Sequence, residues 1–297
     1  MSEISGVHEQ HGHINTWDVS NIEDMSELFK DKNLFNENLD QWDVSNVVNF
    51  SEMFQGCSNF NQNLPWKINT TGTRLVYMGS MFSMCSNFNG NNIHTWNVGH
   101  VSDMSNMFEK CFHFNQPLQD WDVSKVRSME KMFSYCTSFN QPLENWVVTK
   151  VKNMRKMFEN CTSFNQPLRW DVKQVTNMNQ MFANCTSFNQ DLAWNLNHDL
   201  YYSKMFFNCN SRIIFDEDCE NEEDPISLDK IPLERGFRLE ADFISHADLT
   251  PHDGRGRCYD ADNLLHIENN ISPMTRKPFT MKDKRRLEQY NRLKKHT

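Results

Sequence analysis

The sequence predicts an α/β repeat fold: a right-handed solenoid of about eight coils, followed by a small α+β domain. Three observations lead there. All eight tryptophans, Trp17, Trp42, Trp66, Trp96, Trp121, Trp146, Trp170 and Trp194, open nearly the same line of sequence. The steps between them are 25, 24, 30, 25, 25, 24 and 24 residues, and a fixed period in the twenties is the signature of a stacked repeat array. The repeat stops after Cys209, and a segment of different character follows.

Composition narrows the function classes. The 297 residues are 38% hydrophobic and 12% aromatic, enough to bury a core in more than one domain. The net charge of −9 argues against nucleic acid as a partner, because neutralising phosphates takes a basic surface. No apolar run reaches the ~18 residues of a membrane span, and the first residues lack the basic and apolar regions of a secretory signal. The expectation is an intracellular, cytoplasmic protein with no membrane partner and no cofactor. Seven of the nine cysteines share one repeat position (57, 85, 111, 136, 161, 185 and 209), which predicts a reduced, buried ladder of small apolar side chains instead of disulfides. No Cys-x-x-Cys pair is present to suggest zinc.

In chain order, residues 1–16 carry His8, His11 and His13 and read as a solvated tail. Residues 17–215 form the array. After each Trp comes Asp-Val or a close variant and then often Ser or Thr (Ser20, Ser45, Ser124, Thr149), residues suited to helix N-caps, with Glu23 completing a capping box for Ser20. Val126, Met129, Met132 and Phe133 then recur as Val151, Met154, Met157 and Phe158, the apolar spacing of a helix of about two turns. Next comes a register of phenylalanines (Phe35, Phe60, Phe88, Phe114, Phe139, Phe164, Phe188), each followed by Asn. The phenylalanines predict an internal spine, and the asparagines a ladder that bonds backbone groups from coil to coil. Pro117, Pro142 and Pro167 precede a Leu, as in a turn entering a short strand, so Leu143 and Trp146 are expected in an extended segment. The Trp66–Trp96 repeat is long, with its surplus mainly in residues 67–77; inserts of this kind map to loops on one face, which makes Thr71, Arg74 and Tyr77 candidate partner-binding residues.

The line W-D-V-S-x-V-x-x-M-x-x-M-F-x-x-C-x-S-F-N-Q-P-L, repeated over residues 17–209, resembles the BspA-like leucine-rich-repeat family. The resemblance implies a leucine-rich-repeat-like solenoid that contacts a protein instead of performing catalysis. Bacterial surface members of the family are exported; similar repeats also occur inside cells, in proteins of large DNA viruses and some protists.

Residues 216–223 are an acidic linker, within a run that holds seven acids in nine positions, 216–224. Residues 224–281 form the second module, with a strand expected around 237–239, then Arg257-Cys258-Tyr259-Asp260, and a short helix over 261–267. Its order, D-P-I-S from Asp224, then C-Y-D from Cys258, then S-P-M-T-R-K-P-F from Ser272, resembles the U-box, the zinc-free relative of the RING domain. That resemblance implies a possible ubiquitin ligase that docks a ubiquitin-conjugating enzyme and acts by positioning, with no catalytic residue of its own. By residue match, Ile226 and Pro273 are the apolar contacts of the two docking loops and Arg276 the basic residue beside the charged enzyme, with Leu264 and Leu265 in the core. The alternative is a scaffold without activity whose C-terminal module is degenerate. A zinc set of Cys258, His246, His252 and His266 lacks paired ligands. Residues 282–297 form a basic tail in which Leu287, Tyr290 and Leu293 mark a helical stripe.

Overall fold

The computed structural model describes residues 12–68, 74–192, 194, 200–209, 212–213, 236–238 and 258–260, together with Lys284 and Leu287. The chain divides into two compact units, Met1–Gln190 with Asn195–Ser211, and Asp191–Trp194 with Arg212–Thr297.

In the first unit each repeat lies on the next, and backbone hydrogen bonds make the join. Over residues 50–56 every second amide points along the stack. Phe50, Glu52, Phe54 and Gly56 donate to the carbonyls of Tyr77, Gly79, Met81 and Ser83 at 2.8, 3.0, 2.9 and 2.8 Å. The amides between them turn inward: Met53, Gln55 and Cys57 donate three residues back, to Phe50, Glu52 and Phe54. The same alternation recurs at residues 25–31, 104–110, 129–135, 154–160 and 178–184. Single-residue parallel bridges mark the edge where each coil begins, joining Asp24, Asn49 and Tyr77, and again Asp103, Ser128, Asn153, Asn177 and Tyr201.

This arrangement corrects the helix expected over 126–133 and its equivalents. The segment is a chain of four-residue turns. Its third residues sit at positive φ, among them Glu52 (59°), Lys131 (53°), Tyr135 (63°), Lys156 (56°) and Gln180 (56°), a conformation no right-handed helix contains. A helix would satisfy these amides internally; the turns release half of them to the neighbouring coil. The expected N-caps are corrected as well. Ser20, Ser45 and Ser124 donate their backbone N–H to the carboxylates of Asp18, Asp43 and Asp122, which makes them Asx turns. Bonds from the Ser20 hydroxyl and N–H hold the Asp18 carboxyl below its usual range. Glu23, expected in a capping box, pairs with Arg74. Leu143 and Trp146, expected in an extended segment, instead close a turn in which the Trp146 amide donates to the Leu143 carbonyl at 3.1 Å. Before Trp17 and Trp96 this turn is a single 3-10 turn, Ile14–Thr16 and Ile93–Thr95.

Inside the stack each repeat position forms a column. One phenylalanine column runs Phe29, Phe54, Phe82, Phe108, Phe133, Phe158, Phe182, Phe206, with neighbouring ring centroids 5.5–5.9 Å apart. The Phe-Asn phenylalanines form a second column beside it, and within each repeat the two rings stack at about the spacing of Phe54 and Phe60, 4.2 Å. Such pairs contribute ~0.5–1.5 kcal/mol beyond the area they bury. The indoles stack too, Trp42 on Trp66 at 6.5 Å and Trp146 on Trp170 at 6.3 Å. The indole N–H groups of Trp42, Trp66, Trp96, Trp121, Trp146 and Trp170 each reach one coil back, as from Trp66 to the Leu39 carbonyl and Trp170 to that of Leu143, both at 2.9 Å. The asparagine ladder is formed by side-chain carbonyls accepting the backbone N–H one coil on: Asn36 from Asn61, Asn61 from Asn89, Asn115 from Asn140, Asn140 from Asn165 and Asn165 from Asn189, each at 2.9 Å. The thiols of Cys57, Cys85, Cys111, Cys136, Cys161 and Cys185 are buried and donate to phenylalanine carbonyls one coil back.

In the second unit β1 (Asp191–Leu192) pairs in parallel with β2 (Arg212–Ile213). β3 (Gly236–Arg238) pairs antiparallel with β4 (Cys258–Asp260), with Phe237 opposite Tyr259. Lys284 and Leu287 are helical, and Leu287 is buried. The helix expected over 261–267 lies outside the described residues.

Two measurements check this fold. A left-handed residue costs ~1–2 kcal/mol when it is not Gly, so Gln180→Gly is expected to be neutral or to stabilise by up to ~1 kcal/mol in urea unfolding, whereas Gln180→Val destabilises by at least ~1 kcal/mol. In a helix Gln→Gly would instead cost about 1 kcal/mol. Burial pushes the Cys57 thiol up to about 11 and raises those of Cys85, Cys136 and Cys185 well above the usual thiol range. Above the ordinary thiol pKa of 9.0 the unfolded chain ionises while the folded chain stays protonated, so unfolding is favoured there. The urea midpoint is expected to be insensitive to these thiols below pH 9 and to fall as pH rises through about 11.

Candidate interaction surface

In the interior coils the turn chain sends its first, fourth, fifth and eighth residues inward, buries the sixth in several copies (Ser83, Ser134, Glu159, Ala183) and leaves the second, third and seventh at least partly at the surface. That surface is polar by default. The fourth and fifth members of Met129, Met132 and Phe133's repeat are buried, while Glu130 and Lys131 between them are half-buried and ion-paired to neighbouring coils: Arg155 with Glu130 at 2.7 Å and Lys131 with Glu109 at 3.3 Å. An apolar residue in one of these outward columns is therefore a departure from the pattern.

The first such departure is at the insert. Ile68 is buried, whereas Arg74, Leu75 and Tyr77 are exposed. Arg74 reaches past the second coil to the first, where its guanidinium meets Glu23 at 2.9 Å and holds that carboxyl below its usual range. Tyr77 occupies the edge position that holds Asp24, Asn49, Asp103 or Ser128 in other coils, and its backbone bridges Asn49 while its ring stands 47% exposed. Ile22, next to Glu23 in sequence, is also exposed. Two of the three residues expected to bind a partner, Arg74 and Tyr77, are thus displayed on a scaffold whose backbone is bonded on both sides. The third, Thr71, lies outside the described residues.

A second set was missed from the sequence. Met84 and Tyr135 are exposed in a column where other coils hold Asn160, Asn184 and Lys110, and Phe112 is exposed where others hold Ser58, Ser86, Thr137 and Thr162. The bonds place these residues on consecutive coils. Met84 donates to Glu109, Lys110 to Ser134 and Tyr135 to Glu159, and Ser138 donates to Phe112. The signal that could have found them is column by column: a Met, Phe or Tyr where every other copy is small or polar. Aromatic and Met side chains, with Arg, are the types enriched at protein interfaces, and rigid backbone lowers the cost of ordering them on contact.

Ile226, Pro273 and Arg276, the residues expected to hold a conjugating enzyme, lie outside the described residues. So do His246, His252 and His266. No helix among the described residues is long and apolar enough to cross a membrane.

A family model described as "Mycoplasma protein of unknown function, DUF285" matches residues 1–74, 76–194 and 149–221. The chain belongs to this family. The matched residues span every coil described above, so the family is defined on the stacked repeat. None of the curated proteins matches the chain.

The exposure of this set predicts that folding does not depend on it. Met84→Ser, Phe112→Thr and Tyr135→Asn, each taken from the same column of another coil or its close chemical kin, are expected to change stability by no more than about 0.5 kcal/mol apiece in urea unfolding.

Proposed function

We propose that this protein is a protein-interaction solenoid, of the leucine-rich-repeat-like right-handed kind, coupled to a U-box-like module that recruits a ubiquitin-conjugating enzyme. The array binds a target protein, and the pair of activities makes the chain a ubiquitin ligase. One observation carries the binding role: Met84, Phe112 and Tyr135 are exposed in columns where the other coils hold small or polar residues. A solenoid offers an extended surface of this kind, and its binding residues are departures from the repeat.

The ligase reading rests on the resemblance of residues 224–281. The antiparallel pair β3–β4 supports it, since a short two-stranded ribbon falls between the D-P-I-S and S-P-M-T ends of the match. In this reading Ile226 and Pro273 hold the conjugating enzyme, Arg276 stands beside its charged thioester, and catalysis is positional. The module needs no metal, and the buried thiols of the array take no part. The buried, unpaired thiols of the array suit a reducing compartment, which favours action inside a cell.

An autoubiquitination assay with a panel of conjugating enzymes tests it. Chains are expected with the parent protein and lost in both Ile226→Ala and Pro273→Ala, with the thermal transition of each variant unchanged. If the folded parent makes no chains with any enzyme of the panel, the protein is a binding scaffold without ligase activity.

A further inference from the structure

The bonding scheme that joins the coils leaves the two ends of the array complementary. In every join an amide row from one coil meets a carbonyl row of the next: the residues equivalent to Glu27, Phe29 and Asp31 donate to those equivalent to Ser51, Met53 and Gln55. Among the described residues, none donates to the outer side of the first coil: the carbonyls of Asp24, Ser26, Leu28 and Lys30 accept no hydrogen bond. At the other end, the amides of Lys204, Phe206 and Asn208 have no acceptor among the described residues, while the alternate amides of Met205, Phe207 and Cys209 close their turns as in every other coil. One end is a row of acceptors and the other a row of donors, both at two-residue spacing.

The side chains continue the same logic. Leu28 stands 48% exposed in a column whose later members, Met53, Met81, Met107 and Met132, are fully buried. Leu34 is exposed where other coils hold Asn59, Asn87, His113 and Ser138. Phe206 is half-buried in a column whose interior rings are fully buried, stacked on Phe182 on one side. In the column of Glu27, Glu52, Lys131 and Lys156, the first member is an acid and the last, Lys204, a base.

We propose that the chain associates head to tail with a second copy of itself. The amides of Lys204, Phe206 and Asn208 then donate to the carbonyls of Ser26, Leu28 and Lys30 of the next copy, Phe206 stacks on that copy's Phe29, and Lys204 stands over its Glu27. The register is the one every internal join uses. Such an interface is heterologous: it leaves a free end on each side, so it builds open chains of copies and not a closed dimer. Unpaired backbone rows at the end of a sheet or stack are the standard template for this kind of growth.

Sedimentation velocity on the full-length protein across a wide concentration range tests it. The weight-average mass is expected to rise past that of two copies as concentration increases. Leu28→Asp blocks the acceptor end and Phe206→Asp the donor end, so each variant alone is expected to remain a monomer. Their equimolar mixture is expected to form a dimer and stop there, because one intact donor end meets one intact acceptor end. Surface charge gives a second arm that leaves the core untouched: Glu27→Lys lowers the mass at a given concentration, and adding Lys204→Glu to it restores the parent value. A monomer at every concentration overturns the proposal and means that another part of the chain covers an end. A dimer that does not grow, or one that mixing the two blocked variants fails to restore, also overturns it.

Discussion

Every second amide of the turn chain donates to the coil that follows, and the rest of the array depends on that bond. A backbone N–H buried without a partner costs ~1–3 kcal/mol, and each of six coils points four of them along the stack. No coil can therefore be stable by itself. The bond also sets the distance between coils, and that distance is what allows phenylalanine, tryptophan and asparagine columns to stack one member on the next. The buried cysteines follow from the same spacing: a thiol is small enough to fit beneath a phenylalanine carbonyl one coil away and can donate to it.

The proposed interaction surface is a consequence of this division of labour. The inward residues of each turn are fixed by the columns, so variation is confined to the outward pairs. There the protein has placed ion pairs between coils in some repeats and exposed Met, Phe and Tyr side chains in others. A rigid backbone presenting variable side chains at regular intervals suits recognition of another protein.

Part of this was open to reading in the sequence. The asparagine following each Phe announced the ladder, because a side-chain amide repeated at one position, in a stack, has a backbone partner at every step. The tryptophan and cysteine columns were legible for the same reason: a repeated apolar residue is a core residue when neighbours bury one another. Arg74 and Tyr77 were legible as candidates from the length of their repeat alone. Met84, Phe112 and Tyr135 were not, since a single sequence read along its length shows them only as three more apolar residues in an apolar protein.

The turn chain itself was hidden, for a definite physical reason. Met129, Met132, Phe133 and Cys136 are the buried residues of their coil, and their spacing of i, i+3, i+4 and i+7 is the one an amphipathic helix would show. Consecutive four-residue turns and a helix of 3.6 residues per turn bury the same positions, so periodicity cannot separate them. Glycine marks a left-handed residue of the turn chain at Gly56, but Glu, Lys, Gln, Ser, Asn and Tyr occupy that conformation at other coils. The repeat length, the stacking and the identity of each column were determined by the sequence alone. Only the tertiary structure decided which way each amide points, because a left-handed residue other than Gly is held there by the bonds it makes to the next coil, and that coil is some 25 residues away in the chain.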